Sequence, residues 1–159
     1  MSKNKNYKAI FLELAKAKGY IISKPNFRER KNNIDLKLEG QINGKATTIT
    51  VDIKKQGRKK SNPWVFIEFK DSKGGQGWLY GSAQFIVFET SKSFIFVSRK
   101  KLVQHLSSSG LVRWDLPYVD KSWNCKYRLF RRANTLETIT QIKVDDLLDI
   151  EGNQVWKKL

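Results

Sequence analysis

A tight reversal at Asn43-Gly44 constrains this chain more than any other feature. Before it, Ile34, Leu36 and Leu38 alternate with Asp35, Lys37 and Glu39. After it, Thr47, Ile49, Val51 and Ile53 alternate with Thr48, Thr50, Asp52 and Lys54. A two-residue turn between alternating runs calls for positive φ at both central positions, which Asn and Gly tolerate best, so the segment reads as a β-hairpin with a type I′ turn. Such a turn sets the pairing register. Ile42 opposes Lys45, and stepping outward brings Asp35 opposite Asp52, on the face away from Ile34, Leu36, Val51 and Ile53.

Directly opposed residues hold their Cβ atoms ~5 Å apart, and like charges there are destabilising unless a cation intervenes. Asp is also disfavoured in strands. Lys54, two residues beyond Asp52, points to the same face. Two carboxylates and an ammonium beside an aliphatic face suit a hard cation. Mg²⁺ (or Mn²⁺) takes one or two carboxylates, keeps several waters and draws further ligands from a substrate phosphate. It lowers the pKa of a bound water and stabilises charge on the phosphoryl oxygens. A β-bulge in the hairpin would remove the direct opposition.

The charge balance points to the substrate. Of 159 residues, 31 are Lys or Arg and 15 are Asp or Glu, a net +16. Residues 1–60 hold 16 of the basic and 5 of the acidic side chains. Such an excess repels itself and implies a polyanionic partner, most simply a nucleic-acid backbone. The basic residues are not gathered on one amphipathic helix, so a membrane surface is not expected. Nor does any apolar run reach the length of a membrane span. Met1 leads into polar, basic residues with no cleavable apolar region, and the expected location is cytoplasmic. One cysteine (Cys125) and one histidine (His105) leave no ligand set for the usual zinc sites and nothing around which to build a Ser-His-Asp triad. Cys125 reads as a packed thiol and His105 as a helix-surface residue.

Periodicity outlines the rest. Residues 6–18 read as a helix with Ile10, Leu14 and Ala17 on one stripe, ended by Gly19 as its C′ residue. Residues 20–32 read as a basic connector with a short edge strand at its start. Strands are expected at 64–70, 84–89, 93–98, 125–132 and 138–144, and helices at 99–107 and 144–150. Together they predict an α/β (α+β) domain built on one mixed sheet flanked by helices. The division expected is a core over 1–110 and a C-terminal extension over 111–159 packing on the same single domain.

Asp35 followed by Asp52-Ile53-Lys54 resembles the signature of the PD-(D/E)xK nuclease superfamily. The preceding helix bearing Glu13 matches as well. The order and spacing are similar to those of small Holliday-junction resolvases, phage nucleases and homing-type enzymes, over about residues 8–106 as a pattern. Two departures stand out: Ile34 replaces the usual Pro, and Asp52 stands where Glu is commoner. The resemblance implies a restriction-endonuclease-like core and a Mg²⁺-dependent DNA endonuclease that hydrolyses phosphodiesters by metal-activated water. It also implies duplex or branched DNA as partner, and a homodimer, since small members often pair. Asp35 and Asp52 would hold metal, Lys54 would assist the water, and Glu13 would serve as a second-metal or water-orienting ligand. A competing triplet, Glu68-Phe69-Lys70, makes Asp52 the first acid instead. The register argument favours Asp35/Asp52/Lys54, with Glu68 on the adjacent strand as an auxiliary metal ligand.

Phosphate contacts are expected from Lys55, Gln56, Arg58, Lys59 and Lys60, which leave the hairpin directly. Further contacts are expected from Lys70 and from Lys73 in a mobile loop with Gly74, Gly75 and Gly77, and from Arg128, Arg131 and Arg132. The alternative function is a non-catalytic nucleic-acid-binding protein on the same fold, for which two facing aspartates have no use.

Overall fold

The structure, a computed structural model, describes residues 6–57 and 63–159. Along the chain run α1 (Tyr7–Ala17), β1 (Ile21–Ser23), α2 (Phe27–Lys31), β2 (Leu36–Ile42), β3 (Lys45–Lys54) and β4 (Trp64–Lys70). After a short 3₁₀ turn at Trp78–Tyr80 come β5 (Phe85–Glu89), β6 (Ser93–Ser98) and α3 (Arg99–Ser108). Then follow β7 (Phe130–Arg131), β8 (Thr138–Lys143), α4 (Val144–Leu148) and β9 (Gln154–Lys157). The fold is mixed α and β. It has two sheets rather than the single sheet expected: six strands in the order β1-β2-β3-β5-β6-β9, and three in the order β4-β8-β7.

The chain divides into two compact units. The first comprises Met1–Ser61, Ser82–Phe96 and Gln154–Leu159, the second Asn62–Gly81 and Val97–Asn153. The boundary expected at residue 110 falls inside the second.

In the first unit the hairpin forms as its turn demands. Asn43 (φ 51°) and Gly44 (φ 79°) are both left-handed, and the pairs run from Ile42↔Lys45 to Leu36↔Val51 in the expected register. β3 is a central strand, antiparallel to β2 and parallel to β5. Val51, Asp52 and Ile53 are all buried, as expected of a strand covered on both faces. Against this sheet α1 lays Phe11, Leu14 and Ala15. Phe11 stacks on Trp156 at 5.5 Å and meets Phe94 edge-on at 5.3 Å. Trp156 belongs to β9, which pairs with β6 through Phe94↔Trp156 and which the periodicity did not reveal. Asn6 caps α1 by accepting the Lys8 N–H, and Gly19 (φ 91°) ends it as expected. The basic connector begins with its expected edge strand, β1, and also holds α2, opened by a capping box between Asn26 and Glu29.

In the second unit β4 pairs antiparallel with β8, not with the hairpin. Nine residues separate β3 from β4 along the chain, more than a tight hairpin turn spans, so nothing local ties β4 to β3. Ile67 and Phe69 are buried with Leu79, Leu102, Leu106, Ile142 and Leu147. The strand expected over 125–132 contracts to two residues, because Tyr127 takes a left-handed φ of 57° that breaks it. Among the described residues no helix is long and apolar enough to cross a membrane.

Candidate active site

Three strand ends meet at one edge of the six-stranded sheet. The parallel strands β3 and β5 finish at Lys54 and Glu89, while antiparallel β2 starts there after Asp35. Crevices beyond the carboxyl ends of parallel strands are where open α/β sheets place ligands.

Asp35 lies one step outside the last regular pair. Its N–H donates to the Val51 carbonyl (2.8 Å), which Leu36 already faces, so the register slips by one residue at this point. Asp35 is therefore not directly opposite Asp52 in the ladder, as the turn alone would have it. The slip has a consequence: Asp35 Oδ2 accepts the Ile53 N–H at 2.8 Å, replacing the ladder bond the strand has lost. The carboxyl group is held over β3 all the same, and its charge acts on the Asp52 carboxyl.

Asp52 is 3% exposed. Its Oδ1 pairs with Lys54 Nζ at 3.1 Å, while its Oδ2 is buried with no hydrogen-bond partner among the described residues. Burial pushes its pKa up to about 7; Lys54 opposes the rise and Asp35 adds to it. The register slip removes the direct opposition read from the turn, while the Asp35 charge still acts on Asp52.

Other residues join the pair that the sequence did not single out. Lys8, in the first turn of α1, approaches Asp35 Oδ1 at 3.5 Å. Tyr7 is half-buried beside Lys8, Asp35, Glu89 and Asp52, and burial raises its phenol pKa. Glu89, at the end of β5, accepts the Gln56 N–H (2.9 Å) on one oxygen and pairs with Lys158 (3.0 Å) through the other. Glu89 was legible in principle as an acid closing an apolar strand; Tyr7, Lys8 and Lys158 carried no signal in the sequence.

The remaining expected residues are placed as follows. Glu13 is exposed on α1, and it is not among the charges that shift Asp52. Glu68 sits on β4, in the other sheet and the other unit, so it is not on a strand adjacent to β3. Its Oε1 accepts the Trp78 N–H at 3.2 Å. Lys55 is exposed and Gln56 half-buried where β3 ends, while Arg58, Lys59 and Lys60 lie outside the described residues. Lys70 and Lys73 are exposed. Their loop is a closed turn: Asp71 Oδ1 accepts the N–H groups of Lys73 and Gly75, both at 2.9 Å, and the Asp71 N–H donates to the Gly75 carbonyl. Arg128 donates to the Pro117 carbonyl (2.8 Å), Arg131 lies over the Tyr118 ring and Arg132 pairs with Glu137. Cys125 is fully buried, and its burial pushes the thiol pKa up to about 11.

No group of three or more His, Cys, Asp or Glu side chains among the described residues forms a metal cage. The site offers two carboxylates, which is the number Mg²⁺ ordinarily takes from a protein that also binds a phosphate substrate. A buried carboxylate oxygen lacking a partner, beside a second acid, is the kind of atom a divalent cation satisfies. Compared with known protein families, curated proteins and solved structures, the chain matches none.

Proposed function

We propose that this chain is a Mg²⁺-dependent DNA endonuclease of the PD-(D/E)xK type, with Asp35, Asp52 and Lys54 at its centre on a restriction-endonuclease-like core. The observation that carries the reading is Asp52: a buried acid with one oxygen on Lys54, the other without a partner, and a second acid at its side. A buried carboxylate oxygen without a partner costs stability, and a cation offsets that cost. The net charge of +16 supports a nucleic-acid substrate.

Asp35 and Asp52 would hold the ion. When bound, Mg²⁺ supplies Lewis-acid stabilisation of the phosphoryl charge and makes water easier to deprotonate. Lys54 orients the attacking water and neutralises charge as it builds on the scissile phosphate. The Asp35 carboxylate stays anchored through the Ile53 N–H, which fixes its remaining oxygen. Lys8 balances Asp35 in the resting site. Lys55 and Gln56 leave β3 beside the reacting bond and meet flanking phosphates.

The test is incubation with supercoiled plasmid, a four-way junction and single strands, each with and without Mg²⁺ or Mn²⁺. Cleavage that needs the metal and vanishes in Asp52→Ala, with DNA binding retained, is the expected result. Full cleavage by Asp52→Ala would remove this site from consideration. Failure of either metal to support nicking or to stabilise the protein would leave binding alone.

A further inference from the structure

The second unit carries a cleft of about 200 Å³ lined by Phe66, Glu68, Trp78, Arg132, Glu137 and Ile139. None of its residues belongs to the acid site. Phe66 and Glu68 share one face of β4, an edge strand of its sheet. Phe66 is 45% exposed, although its neighbour Ile67 is fully buried on the other face. A benzyl ring left in water at the mouth of a cleft is a ready stacking surface. The rest of the lining is chemically mixed: an indole, an isoleucine, the Glu68 and Glu137 carboxyl groups, and the Arg132 guanidinium held 3.5 Å from Glu137. Two residues along β4 from Phe66, the Trp64 ring carries the ammonium groups of Lys126 and Lys143 at 5.2 and 5.7 Å.

A flat heterocycle with a π face and an edge of mixed donors and acceptors answers each of these features. The ring stacks on Phe66, Arg132 and the carboxylates meet donors and acceptors on its edge, and the flanking lysines meet its phosphate. A base paired and stacked within a duplex cannot present its face to such a cleft. We propose that this cleft binds an unpaired nucleobase, so that the DNA taken by the protein contains a single-stranded segment. The proposal names the substrate class of the nuclease reading and rests on that reading for the word substrate; the binding itself needs no cleavage.

The experiment uses the full chain in EDTA with a labelled oligonucleotide, alone and annealed to its complement. Phe66→Ala is expected to weaken single-strand binding on the order of tenfold, the loss that follows removal of one stacking ring. Duplex binding should change less than about twofold, since phosphate contacts dominate it. Phe66→Trp should restore the single-strand affinity. An unchanged single-strand affinity in Phe66→Ala, or equal losses for both DNA forms, overturns the proposal. Plasmid nicking by the wild-type chain in Mg²⁺ is read separately. An inactive protein whose single-strand binding still depends on Phe66 would sink the nuclease reading and support the cleft.

Discussion

Two triplets of the same form, Asp52-Ile53-Lys54 and Glu68-Phe69-Lys70, lie on two strands and behave differently. The first sits on β3, between two hydrogen-bonded neighbours, and its acid is 3% exposed with Lys54 at 3.1 Å. The second sits on β4, an edge strand whose pairing shifts between Glu68 and Lys70. The alternation itself persists, with Ile67 and Phe69 buried and Phe66, Glu68 and Lys70 on the more open face. Glu68 is half-buried and bonded to the Trp78 N–H, and Lys70 is exposed. The surroundings differ in charge too. The first unit has 19 basic and 6 acidic residues, a net +13, against 12 and 9, a net +3, in the second. A short motif is therefore not yet a site. Position within the sheet makes one triplet a desolvated, electrostatically loaded centre and leaves the other an ordinary edge.

The largest expected effect breaks the comparison outright. Asp52→Asn should lower Mg²⁺-dependent nicking by on the order of 10³-fold, the scale of losing a preorganised charge at a reacting phosphate. Glu68→Gln should change it less than about threefold. Equal losses would make the two triplets partners in one chemistry. Single-turnover nicking of supercoiled plasmid measures both.

A second contrast lies in pH. The folded protein binds the Asp52 proton more tightly than the unfolded chain does, because burial raises the pKa from 3.8 to about 7. Stability therefore falls as pH climbs between those values and levels off above 7. At about 1.4 kcal/mol per pKa unit, the cost approaches ~4 kcal/mol at pH 8 as an upper bound. In EDTA, Asp52→Asn should be more stable than wild type at pH 8 and about equal at pH 4, by urea unfolding. A flat difference across this range would mean that Asp52 is not a desolvated acid.

Much of the first unit was legible, and for local reasons. Asn43-Gly44 dictates its own turn, and that turn carries the register through seven pairs to Leu36↔Val51. What the turn could not foretell was the slip at Asp35, which depends on a carboxylate replacing a backbone partner for Ile53. The second unit was less legible because its pairing is long-range: β4 meets β8 across some seventy residues of chain, and no local signal encodes that choice. Asn26 and Glu29 spell out a capping box within the segment whose charge reads as a basic connector, so α2 carries a local signal of its own. Lys8 and Lys158 reach the site from a helix start and from the residue after β9, positions that only the assembled fold brings there.

A smaller perturbation tests the β4 triplet without touching β3. A Cβ at Gly77 would run into the Glu68 carbonyl, and backbone cannot step aside as a flexible side chain can. Gly77 also donates to the Phe69 carbonyl at 2.9 Å, so the loop is pinned against the strand. Gly77→Ala should therefore cost about 1–3 kcal/mol of stability, as overpacking does. Nicking per folded molecule should stay near wild type if the proposed centre of Asp35, Asp52 and Lys54 carries the reaction without Glu68. A variant that keeps its stability would place the loop farther from β4.

The smallest effect sharpens the role of Asp35. Lys8 and Asp35 are 3.5 Å apart and partly solvated, so Lys8→Ala should alter stability by no more than about 0.5 kcal/mol. Its ammonium nevertheless occupies the space beside Asp35 Oδ1, where it competes with a divalent ion for the same carboxylate. Removing it should lower the Mg²⁺ concentration that gives half-maximal nicking by a few-fold, an amount set by one screened charge at short range. Lys70→Ala, which removes an exposed ammonium from the other triplet, should leave that concentration unchanged. A Mg²⁺ titration of the two variants side by side decides the matter, and an unaltered half-saturation in Lys8→Ala would mean that Asp35 does not hold the ion.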